Sequence, residues 1–119
     1  MTTEAANSST RVLPHPEPSE IRLEAVLHAL SDPLRLQVVR ELAADGHELS
    51  CSHFDLPVTK STTTHHFRVL REAGVIRQIY RGTAKMNVLR GDDLGDLFPG
   101  LLDSVLAAAA RQAARLGTG

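Results

Sequence analysis

The chain has 119 residues, 42% of them hydrophobic, which suits one domain rather than two; three Phe, one Tyr and no Trp make its core aliphatic. No apolar run approaches the ~18 residues of a membrane span. The opening MTTEAANSST lacks the apolar segment of a secretory signal, and a single Cys cannot form an internal disulfide, so a soluble cytoplasmic protein without membrane contact is expected. The net charge of −1 conceals an asymmetry: residues 60–90 carry seven cations against Glu72 alone, a balance of +6, while the flanking segments are acidic. Such a chain is suited to touching phosphate with one surface and something else with another.

Residues 1–18 combine Thr, Ser, Asn and Ala with Pro14, Pro16 and Pro18 and show no apolar period, so they read as a flexible tail before a domain spanning 19–116. His15, between two of these prolines, reads as a solvated side chain. A helix opening at Ser19 or Glu20 carries Leu23, Val26, Leu27 and Leu30 at helical spacing. Ser31, Asp32 and Pro33 interrupt it. Asp32 can cap the next helix, and Pro33 suits the first helical position, where its missing N–H costs nothing. From Leu34 to about Ala44 the apolar residues Leu36, Val38, Val39, Leu42 and Ala43 form the two-sided pattern of a central core helix, which Asp45 and Gly46 end.

Residues 48–76, ELSCSHFDLPVTKSTTTHHFRVLREAGVI, organise the rest. A short helical pattern, a Pro-containing break, a second helical pattern with a polar and basic start, and a Gly stop together read as a helix-turn-helix. Thr59 can cap the second helix, and Gly74 can end it in a left-handed position. Thr63, Phe67 and Leu70 share its inner face, flanked by Val69. Lys60, Ser61, Thr62, Thr64, His65 and Arg68 occupy the opposite side. Three consecutive Thr and paired His are mediocre helix formers, so helix stability does not account for them. Hydroxyls, imidazoles and cations are groups that base edges and phosphates can use, whereas a merely solvated face would not require them.

Beyond Gly74 the apolar period shortens to about two. Residues 75–80 and 84–89 read as two strands joined by Arg81, Gly82 and Thr83, a basic hairpin that would serve as a wing, with Arg77, Arg81 and Lys85 able to reach phosphates or a minor groove. The last segment, from Asp92 to about Leu116, reads as helical, with Pro99 either kinking it or starting a second helix. Its apolar residues exceed what one core face needs. The surplus, including Leu97, Leu101 and Val105, together with Leu23 and Leu27 of the first helix, is expected to be covered by a second copy of the chain.

The segments LHALSDPLRLQVVREL (27–42) and STTTHHFRVLREAGVI (61–76) resemble the arsenic-repressor (ArsR-type) family of bacterial winged-helix regulators. That resemblance implies a mostly α fold with a small β-hairpin, a winged helix-turn-helix that is homodimeric through its terminal helices. It also implies a repressor whose recognition helices enter successive major grooves of an inverted-repeat operator. Thr64 stands where the family favours Ser, His66 where it has His and Phe67 where it has Leu. The resemblance thus puts Thr64, His65 and Arg68 first among the DNA contacts, then Lys60, Ser61 and Thr62, with His66 as much a support of the fold. Metal-sensing members often have two Cys on the first helix of the motif. Here the register runs Glu48, Leu49, Ser50, Cys51, Ser52 and His53, with Ser at both thiol positions. Neutral hydroxyls are poor ligands for soft metals, so neither a metal nor a cofactor is expected.

Three functions compete on these residues. The favoured one is a sequence-specific DNA-binding regulator whose partners are double-stranded DNA and a second copy of the chain, with room for an unidentified small-molecule effector. The second is a metal- or thiol-redox-responsive regulator using His47, Cys51 and His53. The third is a winged-helix protein-interaction module that does not bind DNA, against which the +6 segment argues. No enzyme is expected. The sequence has no Gly-rich phosphate loop, and adjacent His65 and His66 project about 100° apart on a helix, too far round for an acid and base pair.

Overall fold

The computed structural model describes residues 10–117. In chain order the elements are β1 (Thr10–Val12), a 3-10 turn (Pro18–Glu20), α1 (Leu23–Leu30), α2 (Pro33–Asp45), β2 (Leu49–Ser50) and a second 3-10 turn (Cys51–His53). Then follow α3 (Lys60–Glu72), β3 (Ile76–Arg81), β4 (Ala84–Leu89), α4 (Gly91–Leu97) and α5 (Leu101–Leu116). The fold is mostly helical with one small antiparallel sheet of order β1-β3-β4-β2.

Local chemistry explains most boundaries. Asp32 accepts from the Leu34 and Arg35 backbone N–H groups at 2.8 and 3.1 Å, capping α2, with Pro33 at its first position. Burial favours the protonated form of Asp32, yet these two N–H bonds outweigh it and hold the carboxyl below its ordinary range. Gly46, at φ 78°, stops α2. Thr59 caps α3 by accepting from Thr62 N at 3.2 Å. At the other end of α3, Gly74 takes φ 87°, and the N–H groups of Gly74 and Val75 close on the carbonyls of Arg71 and Leu70, both at 3.0 Å. This is the Schellman arrangement, which satisfies carbonyls that would otherwise be orphaned.

The core joins Val26, Ala29 and Leu30 of α1, Val38, Val39 and Leu42 of α2, and Phe67 and Leu70 of α3, closed by Ile21, Phe54, Val75, Ile76 and Leu94. α1, α2 and α3 pack together, with the β3–β4 hairpin beyond them.

The structure differs from the sequence expectations in three places. Residues 10–12, expected within a flexible tail, form a strand on β3 with Thr10 opposite Arg81, Arg11 opposite Tyr80 and Val12 opposite Ile79. His15 is part of the anchorage, since its Nε2 accepts from the Gln78 backbone N–H at 2.8 Å. Residues 1–9 of that expected tail lie outside the described residues. The first half of the helix-turn-helix is reduced to one 3-10 turn, because Leu49 and Ser50 are drawn into the sheet opposite Asn87 and Met86. The first helix opens at Leu23 instead of Ser19 or Glu20, which lie in a separate 3-10 turn. The last segment divides at Phe98, Pro99 and Gly100 into α4 and α5, one of the two alternatives expected there, with Gly100 at φ 80°.

Candidate nucleic-acid interface

α3 presents Lys60, Ser61, Thr64, His65, Arg68 and Glu72 to solvent and turns His66, Phe67 and Leu70 inward. The exposed set from Ser61 onward recurs at i, i+3, i+4, i+7 and i+11, one stripe along a helix about 20 Å long. Among the described residues, the side chains of Lys60, Thr64 and Arg68 make no hydrogen bond or ion pair, so their donors are free for a partner. Thr62 is half-buried and committed to the cap, its hydroxyl accepting from that of Thr59 at 2.9 Å.

His66, named with the DNA contacts in the sequence reading, does not stand on this stripe. It is 7% exposed, and its Nδ1 lies 3.1 Å from Arg35 Nη1. A guanidinium only donates, so Nδ1 accepts and the ring proton sits on Nε2. Arg35 is itself buried and donates to the Ala29 carbonyl at 2.7 Å, and to the His28 carbonyl at 3.3 Å, which also accepts from the backbone N–H and hydroxyl of Ser31 at the C-terminus of α1. One side chain thereby ties α1, α2 and α3 together. The sequence reading assigned Arg35 no role, although a signal was present: Arg35 lies on the stripe with Val38, Val39 and Leu42 that α2 buries.

A second buried chain fixes the hairpin to α3. Arg71 Nη1 donates to Gln78 Oε1 at 2.6 Å and Gln78 Nε2 to Asn87 Oδ1 at 2.8 Å. Asn87 Nδ2 reaches the Leu49 carbonyl and Cys51 Sγ, each at 3.2 Å. Gln78 and Asn87 are fully buried, so they are satisfied by one another and by Arg71 rather than by water.

The seven cations of residues 60–90 therefore have unequal roles. Arg71 is spent on Gln78. Arg90 is buried against Asp93 Oδ2, 2.9 Å from Nη2, and donates to the Pro16 carbonyl at 2.9 Å. Arg81, expected at the wing as a phosphate contact, forms a two-pronged pair with Glu48 at 2.8 and 2.7 Å. That hydrogen bond, then the charge of Arg81, hold the Glu48 carboxyl below its ordinary range. Strand alternation sends Arg77 to the face opposite Gln78 and Tyr80, where it borders a depression of about 440 Å³ with Leu42, Val88 and Asp92. Lys85 stands directly opposite Tyr80, and both line a cleft of about 710 Å³ whose other wall includes Lys60, Thr63 and Thr64 of α3. The cations left open on and beside α3 are thus Lys60, Arg68 and Lys85.

A helix stripe of free donors, held rigidly beside a two-strand wing, matches what a duplex major groove and its flanking phosphates admit. An uncharacterised HTH-type transcriptional regulator of Bacillus subtilis is 35% identical over 82 residues, covering 67% of this chain and 82% of that protein. The chain belongs to the HTH-type transcriptional regulators. A second such regulator, from Methanocaldococcus jannaschii, is 32% identical over 59 residues, 49% of this chain and 66% of its own length. The crystal structure of an ArsR family transcriptional regulator matches the regulator's fold with a TM-score of 0.53 at 19% identity, over 87% of this chain and 95% of that one. No protein-family model matches the chain. The fold is that of an ArsR-family winged helix-turn-helix, and the chain is a DNA-binding transcriptional regulator.

The residues of the metal or redox alternative do not converge in the regulator. His47 faces Asp45 at 3.7 Å, His53 faces Glu41 at 3.4 Å, and Cys51 is half-buried against Asn87. His47 and Cys51 share no helix face, since β2 lies between them. Ser50 and Ser52 hydrogen-bond to each other at 2.9 Å. Among the described residues, no group of three or more His, Cys, Asp or Glu is placed to hold a metal ion, and no helix is long and apolar enough to cross a membrane.

Proposed function

We propose that the regulator is a cytoplasmic homodimeric repressor of the ArsR type, binding an inverted-repeat operator through α3 of each subunit. The observation that carries this reading is the exposed α3 stripe of Lys60, Ser61, Thr64, His65 and Arg68, oriented by the buried Arg35–His66 contact. His65 and Arg68 face base edges and phosphates of the major groove, with Thr64 beside them. Lys60 and Lys85 bracket the adjacent backbone from helix and wing, whereas Arg77, on the far face of the hairpin, takes no part.

Two apolar surfaces support the dimer. Leu23 and Leu27 of α1, one turn apart, are 42% and 44% exposed. Leu97, Leu101 and Val105 are half-buried, each with one side on the core and the rest open to a second subunit. A twofold contact through α1, α4 and α5 covers both sets and spaces two recognition helices for half-sites one helical turn apart. The hydroxyl pair Ser50–Ser52 is a poor ligand set for a thiophilic metal, which argues against such a metal as the signal that releases DNA.

The test is binding of the purified protein to duplex DNA from the region upstream of its own coding sequence, at stepped salt concentrations, with and without chelator and thiol reductant. Tight binding that weakens steeply with salt and ignores both reagents is expected, because each cation set on a phosphate releases counterions. Absence of sequence-specific retention would refute the reading. Dependence on chelator or reductant would transfer the role to His47, Cys51 and His53.

A further inference from the structure

The N-terminal strand β1 lies where a wing meets DNA. Directly opposite residues of paired strands project to the same face. Arg11 is opposite Tyr80 on β3, and Tyr80 is opposite Lys85 on β4, so Arg11, Tyr80 and Lys85 form one row across three strands. The Arg11 guanidinium carbon sits 4.6 Å from the centre of the Tyr80 ring, and Lys85 Nζ lies 5.7 Å from it. Both are within cation–π range. Tyr80 and Lys85 also line the cleft that Lys60, Thr63 and Thr64 of α3 bound on the other side. The row therefore belongs to the recognition-helix side of the sheet.

Arg11 is exposed and, among the described residues, has no carboxylate partner. Arg81, one position along, alternates to the opposite face and is paired there with Glu48, so Arg11 provides the open guanidinium that the hairpin itself does not carry on this face. Stacking on Tyr80 holds that guanidinium in advance, so less side-chain entropy is lost when it meets a phosphate, which its planar fork can bind through two N–H groups. Three features fasten the strand in place: its pairing with β3, the Leu13 N–H donating to the Gln78 carbonyl at 3.3 Å, and the His15–Gln78 bond.

We propose that β1 is a working part of the DNA interface, with Arg11 binding a backbone phosphate beside the wing. This inference rests on the reading of α3 and the hairpin as the DNA-contacting surface. The experiment compares the full chain with Arg11→Ala, Arg11→Lys and Arg68→Ala. Fluorescence anisotropy would follow a labelled duplex from the region upstream of its own coding sequence, at stepped salt, with thermal midpoints recorded for every variant. Arg11→Ala should bind about tenfold more weakly at low salt, as for a lost charged contact. Its slope of log affinity against log salt should fall by about 0.9 for each phosphate contact removed, with the thermal midpoint unchanged. Arg11→Lys should restore the slope and part of the affinity.

Binding by Arg11→Ala equal to that of the unsubstituted chain, while Arg68→Ala loses affinity, would overturn the inference and leave the regulator's recognition helix intact. Equal losses in Arg11→Ala and Arg11→Lys without a change of slope would also overturn it, by reducing Arg11 to a packing role on Tyr80. Failure of the unsubstituted chain to bind the duplex would refute the underlying reading and this inference together.

Discussion

Gly74→Ala tests how the end of the recognition helix is fixed. Gly74 adopts φ 87°, and a Cβ there would lie 2.6 Å from both Cδ1 and Cγ1 of Ile21 and 3.3 Å from its Cγ2. Two costs add. A residue with a Cβ in the left-handed region loses about 1–2 kcal/mol. Displacing Ile21, itself buried in the core, adds the ~1–3 kcal/mol typical of overpacking. The expected loss is about 2–5 kcal/mol, measured as a shift in urea midpoint followed by circular dichroism with the slope unchanged. Gly46→Ala is the control. Gly46 has φ 78° but nothing within 4 Å of its added Cβ, so only the backbone cost of about 1–2 kcal/mol applies. In a double-mutant cycle, Ile21→Ala should relieve part of the Gly74→Ala loss, with a coupling of about 1 kcal/mol or more. Equal losses at Gly74 and Gly46, or strict additivity with Ile21→Ala, would refute the close-approach argument.

Substituting Arg68 or His65 by Ala should each lower affinity for the upstream duplex by about 1–3 kcal/mol without dissociating the protein, and unchanged affinity in both would remove α3 from the interface. Leu23→Glu or Leu27→Glu should give monomers in sedimentation because each is exposed to over two fifths within one subunit; a persistent dimer would move the contact elsewhere. His15 lies below its ordinary 6.5 because burial disfavours the imidazolium, with Arg77 and Arg90 adding positive charge. The unfolded chain then takes up the proton first as pH falls through 6.5, so stability drops below that pH and levels off beneath the lowered folded value. His15→Phe should flatten this part of the pH profile of the urea midpoint, and a profile with the same slope in both proteins would contradict it.

Features governed by local chemistry were legible in the residues. Asp32, Pro33, Thr59, Gly46 and Gly74 act at helix ends through groups two to five residues away, so the same short stretch of chain that carries the signal also carries its effect. Lys60, Ser61, Thr64, His65 and Arg68 were separable from Phe67 and Leu70 by helical periodicity alone. His66 was not, because its neighbour His65 has the same chemistry and only Arg35, 31 residues earlier, distinguishes them. Arg81 looked free until Glu48, 33 residues away, was brought against it.

By itself, then, the sequence determined α2 and α3 with their caps, the hairpin and the polar stripe of α3, since these follow from backbone geometry and periodicity within a few residues. Tertiary structure alone decided which cations remain open. It paired Arg81 with Glu48, buried Arg90 beneath Pro16, sent Arg77 to the far face and made a wing strand of a proline-rich segment expected to be loose. Strand pairing uses backbone N–H and C=O groups that nearly every residue possesses, and an ion pair depends on which distant side chain arrives, so neither leaves a local mark in the sequence.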